Sequence, residues 1–436
     1  MITVLDPLRT ALVPAGSLAA IPVGWLGQPR LFAGADRRDL TSYSNHLAEH
    51  GPLTTPTSAV LLALLDAARL TGRGGAAFPL AAKIRALRPR ARPVVVVNGC
   101  EGEPSSAKDA ALLSRVPHQV LDGAAVVAAA VDARRVFVAV TDPGVEVAVR
   151  RALAGRPDRD RFEVHRLPDR FVSGEARALI AGLNGDVAVP PGRRTLPTDH
   201  GVGGAPTVLS NAETFAQLAT LVRLGPDGFA RHGASQLSGL AEPGTVLLTV
   251  TGAVRRPGVV EVPYGVELSA LAEVVGAQPS QALVIGGYHG GWLRPDPHLV
   301  LSKAGVAAAG GTLGAGAVMF VGDQTCGLSE LARVAGWLAD QSARSCGPCA
   351  FGLPALAEDV RALAAGRAGP AVAERHARMV TGRGACGHPD GAARFVLSGL
   401  ATLADEVRTH QSYGSCGRAD QAHLPMTRAQ AFRGVR

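Results

Sequence analysis

The hydrophobic pattern changes period along the chain, and each change marks a different kind of element. From Ser58 the run SAVLLALLDAARL repeats at helical spacing and stops at Gly72, where a glycine-rich turn begins. The apolar runs VVVVN at 94–98 and RVFVAV at 135–140 read as buried strands. One helix is expected after Pro117 and another over about 143–154. Strands alternating with helices predict a parallel α/β sheet with ligand-accessible loops at its strand ends, continuing through FVSGEARALIAGL and TVLSNAETFAQLATLVRL to about residue 235. Over 240–322 the pattern shortens to β-rich runs, TVLLTVTGAV and GVVEVP, with Pro-Gly turns and a glycine-dense stretch at 305–315. From Leu328 helical spacing returns in LSELARVAGWLADQ, LPALAEDVRALAAG and GAARFVLSGLATLADEV, which predicts a helical bundle. The expected division is an arm over 1–57, an α/β domain over 58–238, a small β domain over 239–322, a bundle over 323–416 and a flexible tail over 417–436.

Composition narrows the class. At 436 residues, 47% hydrophobic and 18% charged, the chain is globular and large enough for several cores. No run of about 18 apolar residues suggests a membrane span, and no charged segment followed by an apolar stretch suggests a secretory signal, so a cytoplasmic location is expected. Six cysteines are too few for a disulfide scaffold and suit metal or redox use. The net charge of +8 is scattered, without the basic runs and interleaved aromatics of a nucleic-acid binder; it suits an acidic electron carrier or an anionic membrane face. The chain has 3 Lys against 41 Arg, so each lysine is a candidate for work that arginine does not do, and Lys83 and Lys108 both fall in motifs.

Three stretches carry candidate chemistry. In TGRGGAAFPLAAK, Gly72, Gly74 and Gly75 let backbone amides approach a ligand, and the helix start behind them suits phosphate, with Lys83 to neutralise it. A plain interhelical turn needs only a glycine or two, and the acidic ribose reader of the usual dinucleotide fingerprint is missing. In NGCEGEPSSAKD, after the first strand, Asn98, Glu101 and Glu103 fall at the carboxyl edge of the sheet. An amide there can pair with a ring edge and carboxylates with sugar hydroxyls; the bland alternative is an acidic turn that caps the next helix. The third is FVSGEAR followed by PPGRRTLPTDHGVGGAPTVLSNAETF, where Ser210 and Glu213 read as a capping box and leave Asn211 to face a ligand.

Together, TGRGGAAFP, VVNGCEGEP with Lys108 and Asp109, SGEARAL and GGAPTVLSNAETF occur in an order and spacing that resemble the flavin subunit of respiratory complex I, a pattern shared by NAD-linked hydrogenases and formate dehydrogenases. LTVTGAVRRPGVVEVPYGVELSAL resembles that family's small β-grasp-like (SLBB) domain, and SCGPC with Cys386 resembles its cluster-bearing bundle, so the likeness covers about residues 58–410. The resemblance implies a Rossmann-like FMN-binding α/β domain, an SLBB domain and a helical bundle. It implies FMN contacts from Gly72, Gly74, Gly75, Lys83, Asn98, Glu101, Gly174, Glu175, Ser210 and Asn211, and NADH contacts from Phe78, Glu103 and Arg193. It further implies hydride transfer from NADH to FMN, and electrons passed to an iron–sulfur or ferredoxin-like protein or a membrane-bound reductase. The competing readings are a degenerate binding or assembly module and an SLBB-type ligand-binding protein.

The chain also departs from the family. The cluster motif CxxCxxC is present as Cys346 and Cys349 with Gly352 in the third place, followed by the distant Cys386. A [4Fe-4S] cluster normally takes four thiolates. Cys416 or Cys326 as a substitute, a non-protein ligand, loss of the cluster, and zinc on the three cysteines with His388 all remain open. Cys100 stands where the family has aspartate and Ala176 where it has a second glutamate, and both changes remove negative charge near the flavin.

Overall fold

The computed structural model describes residues 21–87, 92–192, 195–231, 243–420 and 422–432. In chain order, β1 (Val23–Trp25), α1 (Tyr43–His50), α2 (Ser58–Ala67) and α3 (Leu80–Arg85) come first. The α/β core follows as β2 (Val94–Gly99), α4 (Lys108–Arg115), α5 (Pro117–Ala130), β3 (Val136–Val140), α6 (Pro143–Ala154), β4 (Phe162–Arg166), α7 (Ala176–Leu183), β5 (Thr207–Asn211) and α8 (Ala212–Ala230). A second unit holds β6 (Thr245–Gly252), β7 (Gly258–Pro263), α9 (Leu268–Val275), β8 (Ser280–Ile285), β9 (Gly291–Leu293), α10 (Lys303–Ala308) and β10 (Ala317–Gly322). The helical region comprises α11 (Gly327–Asp340), α12 (Leu353–Ala364), α13 (Pro370–Val380), α14 (His388–Thr402) and α15 (Ala404–Tyr413), with α16 (Arg428–Ala431) in the tail.

The first sheet is parallel with order β4-β3-β2-β5. Its strands are apolar without alternation because both faces are covered. Val95 and Val97 pack on one side with Val120, Val145 and Phe215 of α5, α6 and α8, while Val94 and Val96 pack on the other with Leu179 and Ile180 of α7. Chain order runs outward from β2 through β3 to β4, but β5 joins β2 on its opposite side. The crevice between the carboxyl ends of β2 and β5 is therefore a topological switch point, where open α/β sheets bind ligands.

The second sheet has order β1-β7-β6-β10-β8-β9, with β10 parallel to β6 and antiparallel to β8, as in a β-grasp arrangement. Its two faces serve different cores. Val318 and Phe320 of β10 pack with Leu271 and Val306 of the unit's own helices, whereas Met319 and Val321 face the bundle with Leu331 and Phe395. The period-two alternation of β10 thus joins the bundle to the sheet.

Two terminal segments are more ordered than their sequence suggests. Within the expected arm, β1 pairs in parallel with β7, and the buried Glu261 carboxylate accepts from the backbone N–H groups of Arg30, Leu31 and Phe32 at 3.0–3.2 Å. Leu31, Phe32 and Leu40 are buried. In the tail, Leu424 N donates to Glu330, Tyr288 OH donates to Pro425 O at 2.6 Å, and Arg428 reaches Glu101 O and Asp142. The sequence hides both because isolated buried residues held by backbone hydrogen bonds leave no periodic pattern.

Candidate functional site

Asn98 and Asn211 are register partners at the ends of β2 and β5, so the switch point is framed by two amides. Asn211 donates through Nδ2 to Asp109 Oδ2 at 2.5 Å and accepts at Oδ1 from Lys108 Nζ (2.9 Å) and Glu213 N (3.1 Å). It, and not Ser210, is the N-cap of α8. Glu213 does not reach back as a capping box requires; it pairs with Lys108 at 3.0 Å and accepts from Leu247 N at 3.0 Å, tying the first sheet's domain to the second. The box fails because β5 runs on through Asn211. Ser210 is left in the strand with its buried hydroxyl lacking a hydrogen-bond partner among the described residues.

The glycine turn folds beside this crevice. Gly72 N donates to Phe78 O at 3.2 Å, and a Cβ on Gly72 would lie 2.8 Å from that carbonyl, so the turn closes only with glycine there. A Cβ on Gly75 would meet nothing within 4 Å, which leaves the backbone open to a ligand. A cavity of about 240 Å³ is lined by Gly72, Gly74, Gly75, Lys108 and Glu213, and by Lys303 from α10 with the glycine-dense segment that follows it. Lys303 donates to the Thr71 hydroxyl.

Two of the chain's three lysines, Lys108 and Lys303, thus line the cavity at the glycine turn, while the third, Lys83, reaches β5. Burial works against the charge on Lys108, but Asp109, Glu213 and Glu101 more than offset it and hold the ammonium above its ordinary range. Lys83 has no such compensation: it donates to Leu209 O at 2.7 Å, and burial pushes it down to about 8. Lys303 escaped the sequence reading although lysine scarcity pointed at it, because only the tertiary fold brings α10 to the turn.

Other expected contacts are occupied by the protein. Asn98 donates to Gly174 O (2.9 Å) and accepts from Cys100 N (3.0 Å). Both oxygens of Glu101 accept from the start of α4, at Asp109 N and Ala110 N, and Ser106 Oγ donates to it at 2.6 Å. Glu101 therefore caps α4, the bland alternative for this acidic turn. Glu103 is sunk into the second domain, accepting from Tyr288 N (2.6 Å) and from Ser105. Burial raises its carboxyl to about 7. Glu175 caps α7 and pairs with Arg177 at 2.9 Å. A Cβ on Gly174 would lie 2.6 Å from Cys100 O, so this glycine permits the close approach of two loops. Phe78 is 54% exposed near the turn, and Arg193 lies outside the described residues.

The cysteines fall into two groups. Cys346, Cys349 and Cys386 lie near one another: burial first, then Cys346 and Cys386, raise the Cys349 thiol, and burial, then Glu175 and Cys346, raise the Cys386 thiol. Arg177 donates to Ala385 O at 3.0 Å, linking the Gly174–Glu175 loop to this group. A Cβ on Gly352 would lie 2.3 Å from Val380 Cγ1, so an apolar side chain fills the place of a fourth thiolate. Cys326 and Cys416 do not replace it: they gather instead with Glu406 and His410. Cys326 N-caps α11, whose 14 residues span about 21 Å before Cys346 is reached. His388 is also unsuited as a zinc ligand, since its ring nitrogens engage Leu338 O and His289, both at 2.9 Å.

The donors fit the expected groups to different degrees. The open Gly75 backbone, the unpartnered Ser210 hydroxyl and the uncompensated Lys83 ammonium fit a phosphorylated ring cofactor such as FMN. Cys346, Cys349 and Cys386 fit three of the four thiolates of an iron–sulfur cluster.

The Nuo51 FMN-binding domain matches residues 65–220, and the NADH-ubiquinone oxidoreductase-F iron–sulfur binding region matches residues 329–410. An NADH-quinone oxidoreductase subunit of Mycobacterium tuberculosis is 29% identical over 403 residues, covering 86% of this chain and 89% of the relative. The NADP-reducing hydrogenase subunit HndC of Solidesulfovibrio fructosivorans is 26% identical over 391 residues, covering 83% and 78%. The crystal structure of an NAD+-reducing [NiFe]-hydrogenase in its H2-reduced state shares the fold, with a TM-score of 0.75 at 24% identity over 92% of this chain and 69% of that one. The order of the two matched regions and the shared architecture make the chain a divergent member of the family of NADH- and FMN-binding flavoproteins found in respiratory complex I and NAD-linked hydrogenases.

Proposed function

We propose that this chain is the hydride-entry module of an NADH:acceptor oxidoreductase, using FMN and passing electrons to an iron–sulfur or ferredoxin-like partner. The observation that carries this reading is a cavity along an open glycine turn lined by Lys108 and Lys303, with Asn211 against Gly74 and, on the same strand β5, a Ser210 hydroxyl that has no partner among the described residues and the Leu209 carbonyl that holds Lys83. FMN bound there supplies an acceptor for hydride and a donor of single electrons. The amides of Gly74 and Gly75, with Lys83, would hold its phosphate. Ser210 and Asn211 would meet its polar edge, and Asn98, Gly174 and Glu175 shape the opposite wall. Lys108, kept charged by Asp109 and Glu213, would favour electron-rich forms of the ring. The exposed Phe78 would offer NADH an apolar surface near the turn.

Cys346, Cys349 and Cys386 would hold a [4Fe-4S] cluster by three thiolates, with a ligand from outside the chain at the fourth iron. No helix among the described residues is long and apolar enough to cross a membrane. We place the module in the cytoplasm, where a net charge of +8 would favour encounter with an acidic carrier or a membrane-bound reductase. The test is the anaerobic absorption spectrum of FMN-reconstituted protein before and after NADH, with iron assayed on the same sample. Bleaching of the flavin bands is expected; FMN that binds without bleaching would favour the second reading, an assembly module that lost turnover, which Gly352 and Ala176 motivate.

A further inference from the structure

Outside the flavin site and the Cys346 group, four metal-ligating side chains meet where the second sheet, the bundle and the tail join. Cys326 precedes α11 in the connection from β10, Glu406 and His410 lie four residues apart on one face of α15, and Cys416 follows that helix. Their ligand atoms all lie within 4.8 Å of one another, and Cys326, Glu406 and His410 are buried. Cys326 Sγ is 3.3 Å from Glu406 Oε1 and 3.4 Å from His410 Nε2. His410 Nδ1 lies 2.6 Å from Ala364 O, which accepts only, so Nδ1 carries the proton and the Nε2 lone pair faces the sulfur. Glu406 is braced by Leu328 N and Arg418, each at 2.8 Å.

We propose that Cys326, Glu406, His410 and Cys416 form a structural zinc site. Two thiolates, one imidazole and one carboxylate complete a tetrahedral set, and the sulfur ligands disfavour calcium and magnesium. The carbonyl behind His410 and the guanidinium behind Glu406 are the outer partners that orient zinc ligands. Three anionic ligands around a divalent cation leave one negative charge, which Arg418 offsets. The site closes a connection the backbone has begun, since Cys326 N donates to Ala419 O at 2.9 Å and Ala419 N to Gln324 O at 3.2 Å. Zinc here would pin the tail that carries Arg428 to the flavin domain.

The test assays zinc and iron in the full chain, purified anaerobically without chelator. A variant with Cys346→Ser, Cys349→Ser and Cys386→Ser and a variant with Cys326→Ser and Cys416→Ser are assayed in parallel. One zinc per chain is expected in the parent and in the first variant, and none in the second. Because the second variant is at risk of misfolding, the parent is also stripped and loaded with cobalt. Thiolate-to-cobalt charge transfer with tetrahedral ligand-field bands is expected, weakened by His410→Ala. The proposal is overturned if the parent neither contains zinc nor takes it up from added zinc chloride, if bound zinc disappears with the Cys346 group, or if loaded cobalt shows no thiolate band.

Discussion

Among the described residues Lys83 is offered one carbonyl oxygen, that of Leu209, and no carboxylate, so a bound anion would stabilise its charge. Lys83→Met is expected to weaken FMN binding by about tenfold or more, the scale of a lost charge-assisted hydrogen bond. The apoprotein should melt no lower, because the substitution removes a poorly compensated buried charge; flavin fluorescence quenching and a thermal melt measure both. With Lys83 lowered from 10.5 to about 8, the unfolded chain binds more protons than the folded one between those values. Its contribution to apoprotein stability therefore rises with pH over that window, while FMN affinity falls as pH passes about 8. Glu103 has the opposite sign. Its carboxyl is raised from 4.5 to about 7, so the folded state holds the extra proton and stability falls as pH climbs from about 4.5 to 7. Denaturant titrations of Glu103→Gln against the parent should show that slope flattened. Cys100 is buried and its thiol pushed up by burial, so it is neutral where the family has a carboxylate. Restoring charge with Cys100→Asp and Ala176→Glu is expected to lower the flavin midpoint by roughly tens of millivolts in a spectroelectrochemical titration. Lys83 and Lys108 were legible in the sequence because lysine is rare in it. The duties of Glu101 and Glu175 were not, since a carboxylate beside glycines reads alike whether it faces a ligand or the backbone of a helix start.

Elements were legible where packing imposes a period. The unbroken valines of β2 announce a strand covered on both faces, whereas β10, apolar throughout, shows only in the structure that its two faces serve different cores. The segment over residues 21–40 gave no such signal: it is held by the pairing of β1 with β7 and by one distant carboxylate, Glu261, gathering three consecutive backbone N–H groups. The switch point depends on β5 joining β2 from the far side, which no local pattern records. In the bundle, Gly352 and Val380 behave as a matched pair. Gly352→Cys alone is expected to destabilise the bundle by about 1–3 kcal/mol through overpacking. Adding Val380→Ala should recover part of that loss and raise the iron content and air stability of the reconstituted protein, measured by thermal melt and iron assay. Iron unchanged in the double variant would mean that the fourth corner of the cluster lies elsewhere.

At the scale of the whole molecule, the tail is a strap across the domains, touching the bundle through Leu424, the second sheet's unit through Pro425 and the flavin domain through Arg428. Deleting residues 417–436 is expected to lower the melting temperature by roughly 5 °C or more, since several buried hydrogen bonds are lost together. The same deletion should loosen FMN retention, because Arg428 reaches the loop that carries Glu101. The chain has three side-chain primary amines: Lys108 and Lys303 line the cavity at the glycine turn, and Lys83 reaches the carbonyl of Leu209 on β5. Arginine provides the rest of the basic surface and is inert to acylating reagents. Mild acylation of side chains is therefore expected to be confined to these three lysines, with the buried and ion-paired Lys108 the slowest, so the intact mass of the labelled chain with and without FMN tests whether the cofactor shields Lys83 and Lys303.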